Sequence, residues 1–279
     1  GTTAAAPLST PHVVRKRHGG RHHARTGAQA TKSTASPAHW LAPTELPYLG
    51  DPKTLPNFEL TEVWSPVPGH VTPAVRDGLP PSDAIVLFDG ASLNGWRSVK
   101  DGGPAKWHVD QGDLVVTPGT GDIRTEDMFG NVQLHIEWMP PVEGPEKTGQ
   151  DRGNSGVYLQ GLYEVQVLDT YENITYPNGQ AGSIYKQFIP LVNASRPAGQ
   201  WESYDIVFIA PRFAPSGALL SPARMTVFQN GILVQNDVVL KGPTVFRGPP
   251  HYTPHGDRGL SLQDHGHEVR FRNIWIRRL

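Results

Sequence analysis

The sequence predicts an all-β protein: a two-sheet jelly-roll sandwich with an extended basic tail and a proline-rich strap at its N-terminus. Three observations carry this. The 279 residues include 30 glycines and 27 prolines with only 18% charged residues, the reverse of what a helical bundle or coiled coil requires. Apolar residues recur with period two from Ile85 onward. No stretch of twelve or more residues carries a helical stripe. The length allows one large domain with appendages, or at most two domains.

The strand reading rests on short alternating runs bounded by Gly, Pro, Asn and Asp: AIVLF, DLVVT, VQLHIEW, SGVYLQ, YEVQVLD, YDIVFIA, RMTVFQNG, LSLQ and EVRFRNIWIRRL. Residues 82–279 have room for roughly 12–14 such strands, which suits a jelly roll. No internal repeat is present. No apolar run approaches the length of a membrane span. With no cysteine, a disulfide framework, a thiol nucleophile and a zinc ribbon are all excluded.

The formal net charge of −1 hides two different polypeptides. Residues 1–39 contain Arg15, Lys16, Arg17, Arg21, Arg25 and Lys32 and no acid, leaving 19 basic against 26 acidic residues in the remainder. This segment has no Phe, Trp or Tyr and cannot bury enough apolar area to offset its ordering entropy. It lacks aromatics for base stacking and adjoins no nucleic-acid-binding motif, so nucleic acid is disfavoured as a partner. Homo-oligomerisation through the tail is the expected role. Residues 40–81 carry nine prolines between Trp40, Tyr48, Phe58 and Trp64. They read as an extended strap whose aromatics pack on the sandwich or on a neighbour.

Read together, IVLFDGASLNGW (85–96), WHVDQGDLVVTPGTGDIRT (107–125), FGNVQLHIEW (129–138), RGNSGVYLQGLYEVQVLDTY (152–171), GQAGSIY (179–185), WESYDIVFIAPRF (201–213), TVFQNGILVQ (226–235) and LSLQDHGHEVRFRNIWIR (260–277) resemble the DUF1080, or 3-keto-disaccharide hydrolase, family. The resemblance runs from about Val63 to the C-terminus. It implies a concanavalin A-like lectin/glucanase jelly roll. It also implies a periplasmic or extracellular bacterial protein acting on an oligo- or disaccharide whose sugar is already oxidised at C3. The start at Gly1 fits either a removed export signal or a trimmed chain.

The most informative run is Tyr163 to Asp169. Alternation puts Glu164 and Gln166 on one face and Tyr163, Val165 and Val167 on the other. A bulge near Leu168 is expected to bring Asp169 beside the polar pair. The spacing E-x-Q-x-x-D resembles the E-x-D-x-x-E strand of jelly-roll glucanases, with an amide in place of the middle acid. A retaining glycosidase needs two carboxyls about 5–5.5 Å apart, so an ordinary endoglucanase is disfavoured. A 3-keto sugar needs less: one base for the acidified C2 proton, one acid for the glycosidic oxygen, and a donor or a metal to stabilise the enolate. Glu164 and His265 are the candidates for these two roles, in either order. Arg152, Asn154, Tyr158, Gln166, Asp169, Tyr185 and Gln263 are the candidate substrate-binding residues.

Alternation also places Gln263 and His265 on one face. No cofactor is certain for this chemistry, and a divalent metal ion is possible. A divalent metal held by Asp264, His265 and His267 is an alternative use of that run, and turn formation by Asp264 and Gly266 is another. Trp107, Trp201, Tyr158 and Tyr185 are candidates to stack on a pyranose. Asp205 is expected either to face the cleft or to pair with an arginine. Arg272 and Asn273 should point to opposite faces of the last strand. The connection 140–149 is long enough to border a cleft. Two further functions stay open: a non-catalytic carbohydrate-binding module, and a structural protein assembled through its tail.

Overall fold

The computed structural model describes residues 62–279. The basic tail and most of the strap, including Trp40, Tyr48 and Phe58, lie outside the described residues, as does any oligomerisation through them. Among the described residues fifteen strands, numbered in chain order, form two antiparallel sheets and one short hairpin. The larger sheet runs β13 (Ile232–Val239), β12 (Arg224–Gln229), β9 (Glu202–Ile209), β6 (Val132–Met139), β15 (Arg270–Arg278), β4 (Asp113–Val115) and β3 (His108–Asp110), with β1 (Ile85–Phe88) also paired to β15. The smaller sheet runs β2 (Trp96–Ser98), β5 (Ile123–Thr125), β14 (Ser261–Leu262), β7 (Ser155–Leu159) and β8 (Tyr163–Val167). The hairpin is β10 (Arg212–Phe213) with β11 (Leu219–Ser221). This is the all-β sandwich expected. Among the described residues the helical content is a single 3-10 turn, Pro177–Gly179, and no helix is long and apolar enough to cross a membrane.

Period-two patterning decides which face of each strand is buried. In β6, Val132, Leu134, Ile136 and Trp138 enter the core; in β9, Tyr204, Ile206 and Phe208 do so; in β8, Tyr163, Val165 and Val167 do so. The complementary residues point away from the core, and in both sheets they form polar clusters.

On the larger sheet, antiparallel register sets His135 opposite Asp205 and Trp275, and Glu137 opposite Arg272. His135 Nδ1 lies 2.6 Å from Asp205 Oδ1, and its ring stacks on Trp275 at 5.3 Å. Glu137 accepts from Arg272 Nε at 2.6 Å and from Asn273 Nδ2 at 2.9 Å. Asp205 therefore serves a histidine rather than an arginine, and lines a hollow of about 400 Å³ on the outer face of the larger sheet together with His135, Glu137 and Arg272. Arg272 and Asn273 reach the same carboxylate, against strict alternation. The β15 ladder shifts register between Arg272 and Trp275, and Asn273 takes a φ of 47° there, which turns its side chain back.

The end of the proline-rich stretch belongs to the sandwich unit, which begins at His70. The Gly78 carbonyl accepts from Asn273 Nδ2 at 2.6 Å and from Trp275 Nε1 at 2.9 Å. A Cβ on Gly78 would press on the His135 ring at 3.5 Å, and its φ of +81° disfavours any side chain. Trp64, in the segment that precedes this unit, is 59% exposed and donates to Glu62.

Burial opposes a charge on His135, but its hydrogen bond to Asp205 and the Glu137 carboxylate 3.7 Å from Nε2 outweigh it and raise its pKa to about 9. Burial likewise raises the Glu137 carboxyl, yet the nearby His135 and bonds from Asn273 and Arg272 hold it down at about 2. Glu137→Leu should cost about 2–4 kcal/mol, because it strands buried cationic and amide donors. A carboxyl with a depressed native pKa stabilises fully above its ordinary value near 4.5 and loses that contribution as pH falls toward 2. Chemical denaturation at pH 7 and pH 3 should therefore show the variant's deficit shrinking at the lower pH.

Candidate active site

The second polar cluster lies on the outer face of the smaller sheet. The β7–β8 ladder pairs Tyr158 with Glu164 and Gly156 with Gln166. All four face away from the core because Val157, Val165 and Val167 take the inward positions. Loops then cover the ladder. Residues 182–185 run beside β8, with Gln166 N donating to Ser183 O and Tyr185 N to Glu164 O. Thr244 accepts from Glu164 N at 3.0 Å. The result is a cleft of about 460 Å³ lined by Gln150, Asn154, Tyr158, Glu164, Gln166, Tyr176, Tyr185, Thr244, Phe246, Gln263 and His265. Its size lies within the range of small-molecule sites.

Glu164 is the one carboxylate among the lining residues. It is 3% exposed. Burial raises its pKa to about 8; the Tyr158 hydroxyl pulls the other way, and the Asp122 charge nearby adds to the rise. Burial, with the Glu164 charge behind it, also raises the Tyr158 hydroxyl, which stays a proton donor at neutral pH. Tyr158 accepts from Gln263 Nε2 at 3.2 Å. Gln166 Nε2 donates to Gln150 Oε1 at 3.1 Å and to Asn154 Oδ1 at 3.4 Å. The floor is thus a connected set of amides, one phenol and one carboxyl.

The rim is aromatic. Tyr176 and Tyr185 share a hydroxyl–hydroxyl bond of 2.7 Å. Lys186 Nζ donates to Phe246 O at 2.9 Å and sits 4.1 Å from that ring's centroid, holding the 64%-exposed Phe246 beside the opening. This lip presents flat apolar faces suited to the C–H face of a sugar.

The cleft brings together seven of the nine residues expected from sequence: Asn154, Tyr158, Glu164, Gln166, Tyr185, Gln263 and His265. Arg152 and Asp169 are not among the lining residues. The β8 ladder is regular through Val167; beyond it Asp169 N donates to Arg152 O, one residue out of that register, and the Asp169 side chain is buried at 2% exposure and pairs with Arg152 Nε at 2.7 Å. Of the candidate stacking residues, Trp107 is core and stacks on Phe271, and Trp201 lies under the Arg272 guanidinium on the larger sheet. Both tryptophans are spent elsewhere.

The Asp264–His267 run makes turns and props. Asp264 accepts from Gly121 N and Gly266 N. His267 Nδ1 lies 2.7 Å from Glu143 and its Nε2 3.3 Å from Asp151. Among the described residues, no group of three His, Asp or Glu side chains is arranged to hold a metal ion. Gln150, Tyr176, Thr244 and Phe246 escaped sequence reading. Gln150 ends the long 140–149 connection, whose length was the available signal. Thr244 and Phe246 come from a loop with no chemical pattern.

A family model for the 3-keto-alpha-glucoside-1,2-lyase-like domain matches residues 83–277. The chain belongs to this family. A curated 3-keto-disaccharide hydrolase of Bacteroides thetaiotaomicron is 27% identical over 232 residues, covering 69% of this chain and 77% of that protein. A crystal structure from Parabacteroides distasonis, described as a candidate glycosyl hydrolase, is 49% identical with a TM-score of 0.74, covering 79% of this chain and 96% of that one. A second from the same organism, at 21% identity and a TM-score of 0.52, shares the fold. As a member of the 3-keto-disaccharide hydrolase family, the chain is a carbohydrate-active protein.

Two outcomes test the cleft geometry. A Cβ on Gly156 would lie 2.5 Å from Glu164 Oε1 and 2.7 Å from Tyr158 Cε2, so Gly156→Ala should cost about 1–3 kcal/mol through forced repacking, read by chemical denaturation. For Glu164 the raised pKa makes the folded state take up a proton, so its stability falls as pH rises from 4.5 through 8. Glu164→Gln should therefore melt higher than the wild type, by about 5–10 °C at pH 8.5, with little difference at pH 4.

Proposed function

We propose that the chain cleaves glycosidic bonds of 3-keto-glycosides by acid–base elimination followed by addition of water. The observation that carries this reading is the single carboxyl of the cleft. Double displacement at a sugar needs two carboxyls flanking the bond, and here Gln166 stands where a second would be. A C3 ketone removes that need, because it acidifies the neighbouring C2–H.

In this scheme one of Glu164 and His265 takes the C2 proton as the C1–O bond opens, and the other protonates the departing oxygen. The electron pair released at C2 passes toward the C3 oxygen before the enone forms. Tyr158 and Gln263 supply neutral donors near the reacting sugar, where charge develops. Water then adds across C1 and C2: its oxygen bonds C1, its proton goes to the group that had acted as acid, and the first group returns its proton to C2. Both groups are reset and no oxidant is consumed. Tyr176, Tyr185 and Phe246 form the stacking lip, and the cleft volume suits a disaccharide.

Incubation with a 3-keto-disaccharide and with its unoxidised parent tests this. Cleavage should occur with the keto sugar alone. Glu164→Gln and His265→Ala should each lower kcat by about 10²–10⁴-fold while leaving binding in place by calorimetry. Binding of the keto sugar by the wild type without turnover would overturn the enzyme reading in favour of a carbohydrate-binding module.

A further inference from the structure

The acid and base roles can be told apart from the orientations of three amides beneath the cleft, an inference that rests on the reaction proposed above. Gln150 Nε2 donates to Gly179 O at 2.9 Å and to Thr175 Oγ1 at 2.8 Å. Its own carbonyl oxygen is thereby turned toward Gln166. Asn154 Nδ2 donates to the main-chain carbonyl of Gln150 at 2.7 Å, which turns Asn154 Oδ1 toward Gln166 as well. Both neighbours present acceptors, so Gln166 must offer them its nitrogen, and it does so at 3.1 and 3.4 Å.

The remaining atom, Gln166 Oε1, then points at Glu164 Oε1 at 2.9 Å, with Ser155 O at 3.2 Å. Two oxygens at 2.9 Å need a proton between them. Amide oxygen carries none, so it belongs to the Glu164 carboxyl. Turning the Gln166 amide over would let its nitrogen serve Glu164 and Ser155 O, but would set its oxygen 3.1 Å from Gln150 Oε1. Turning Gln150 and Asn154 over to relieve that would press oxygen on oxygen at Gly179 O and Gln150 O, at 2.9 and 2.7 Å. The arrangement found leaves one close oxygen pair, the weaker contact to Ser155 O; the alternatives leave two. Burial of unpaired polar groups makes that difference count.

We propose that the Gln150–Gln166–Asn154 amide relay, anchored on two main-chain carbonyls, holds the Glu164 carboxyl in its acid form and so makes Glu164 the proton donor to the departing glycosidic oxygen, leaving His265 as the base at C2. The other ionisable groups facing Glu164 are Tyr158 on β7, Asp122 ahead of β5, Tyr185 beyond β8 and His265 beyond β14. Tyr158 and Tyr185 are held neutral by burial, and the Asp122 charge opposes ionisation of Glu164. In the reaction the Glu164 O–H gives up its hydrogen bond to Gln166 Oε1, and the O–H bond breaks as the proton bonds the leaving oxygen. The carboxylate left behind reclaims a proton from the water that adds at C1. Gln150, Gln166 and Asn154 are positioning residues, acting through Glu164.

The test is a titration of Glu164 in the full chain without substrate, using carboxyl-13C glutamate with the signal assigned by its loss in Glu164→Gln. In the wild type the carboxyl should be protonated at pH 7; an ionised carboxyl there overturns the relay. Gln150→Met removes the acceptor that fixes Gln166, whose nitrogen can then turn to the carboxylate. The titration midpoint should fall by about 1–2 units, the worth of one hydrogen bond to a charged group. Burial alone predicts the opposite sign, since methionine is less polar, so an unchanged or raised midpoint overturns the proposal. Asn154→Ala frees Gln166 from its other side and should move the midpoint the same way if Gln150→Met fails to fold. In a Gln166→Met background the Gln150 effect should vanish; its persistence overturns the relay. With keto sugar, Gln150→Met should bring the alkaline limb of kcat/KM down by the same 1–2 units, whereas activity that rises as Glu164 ionises overturns the acid assignment. Because the titration needs no substrate, a chain that titrates as stated but cleaves no keto sugar counts against the reaction and not against the relay.

Discussion

The cleft depends on one cross-strand register, in which Tyr158 faces Glu164 and Gly156 faces Gln166 across the β7–β8 ladder. A shift of one residue would send Glu164 and Gln166 into the core and bring Val165 to the surface. The register is held by the apolar faces of both strands, which bury Val157, Leu159, Tyr163, Val165 and Val167. Gly156 is the local condition for it. Its missing side chain leaves the space that the Glu164 carboxyl and the Tyr158 ring occupy. Hydrophobic burial on one face thus sets the position of an ionisable group on the other.

The two outward faces of the sandwich handle charge in opposite ways. On the larger sheet His135, Glu137, Asp205 and Arg272 are partnered by one another, with the Gly78 carbonyl completing the set. The neutral Asn273 and Trp275 side chains beside that network hold Gly78 to the sheet. On the smaller sheet a single carboxyl is buried with neutral partners, and its protonation is the variable the site retains. Charges paired with one another are held in place, whereas a neutral acid in a cleft has a proton to give.

Membership of the 3-keto-disaccharide hydrolase family makes the amide at position 166 intelligible. In a glycosidase strand a second carboxylate acts as nucleophile or base. Here the position joins two further amides in a chain with fixed polarity. Amides carry no charge, so they tune the carboxyl through hydrogen-bond direction rather than through Coulomb repulsion. An oxygen aimed at the acid favours the protonated form, while a second carboxylate would have raised its pKa by an amount sensitive to salt and water.

The sequence by itself determined the fold class, the inward and outward faces of β6, β8 and β9, and most of the cleft floor. These follow from period-two alternation, which is local. Glu164 and Gln166 share a face because they are two residues apart, and Gln263 and His265 do so for the same reason. Only the tertiary structure decided how strands are joined and what covers them. Asp169 was misplaced because the chain leaving β8 runs beside Arg152, which claims its carboxylate. Arg272 and Asn273 share Glu137 because a bulge breaks alternation at a positive φ, which an asparagine does not announce. Trp201 and Trp107 look the same in sequence as sugar-stacking aromatics, yet one lies under an arginine and the other fills the core. Gln150, Thr244 and Phe246 reach the cleft from loops, where spacing carries no information. The direction of each amide depends on carbonyls brought from segments far apart in the chain, so the state of Glu164 is a property of the folded sheet and its loops.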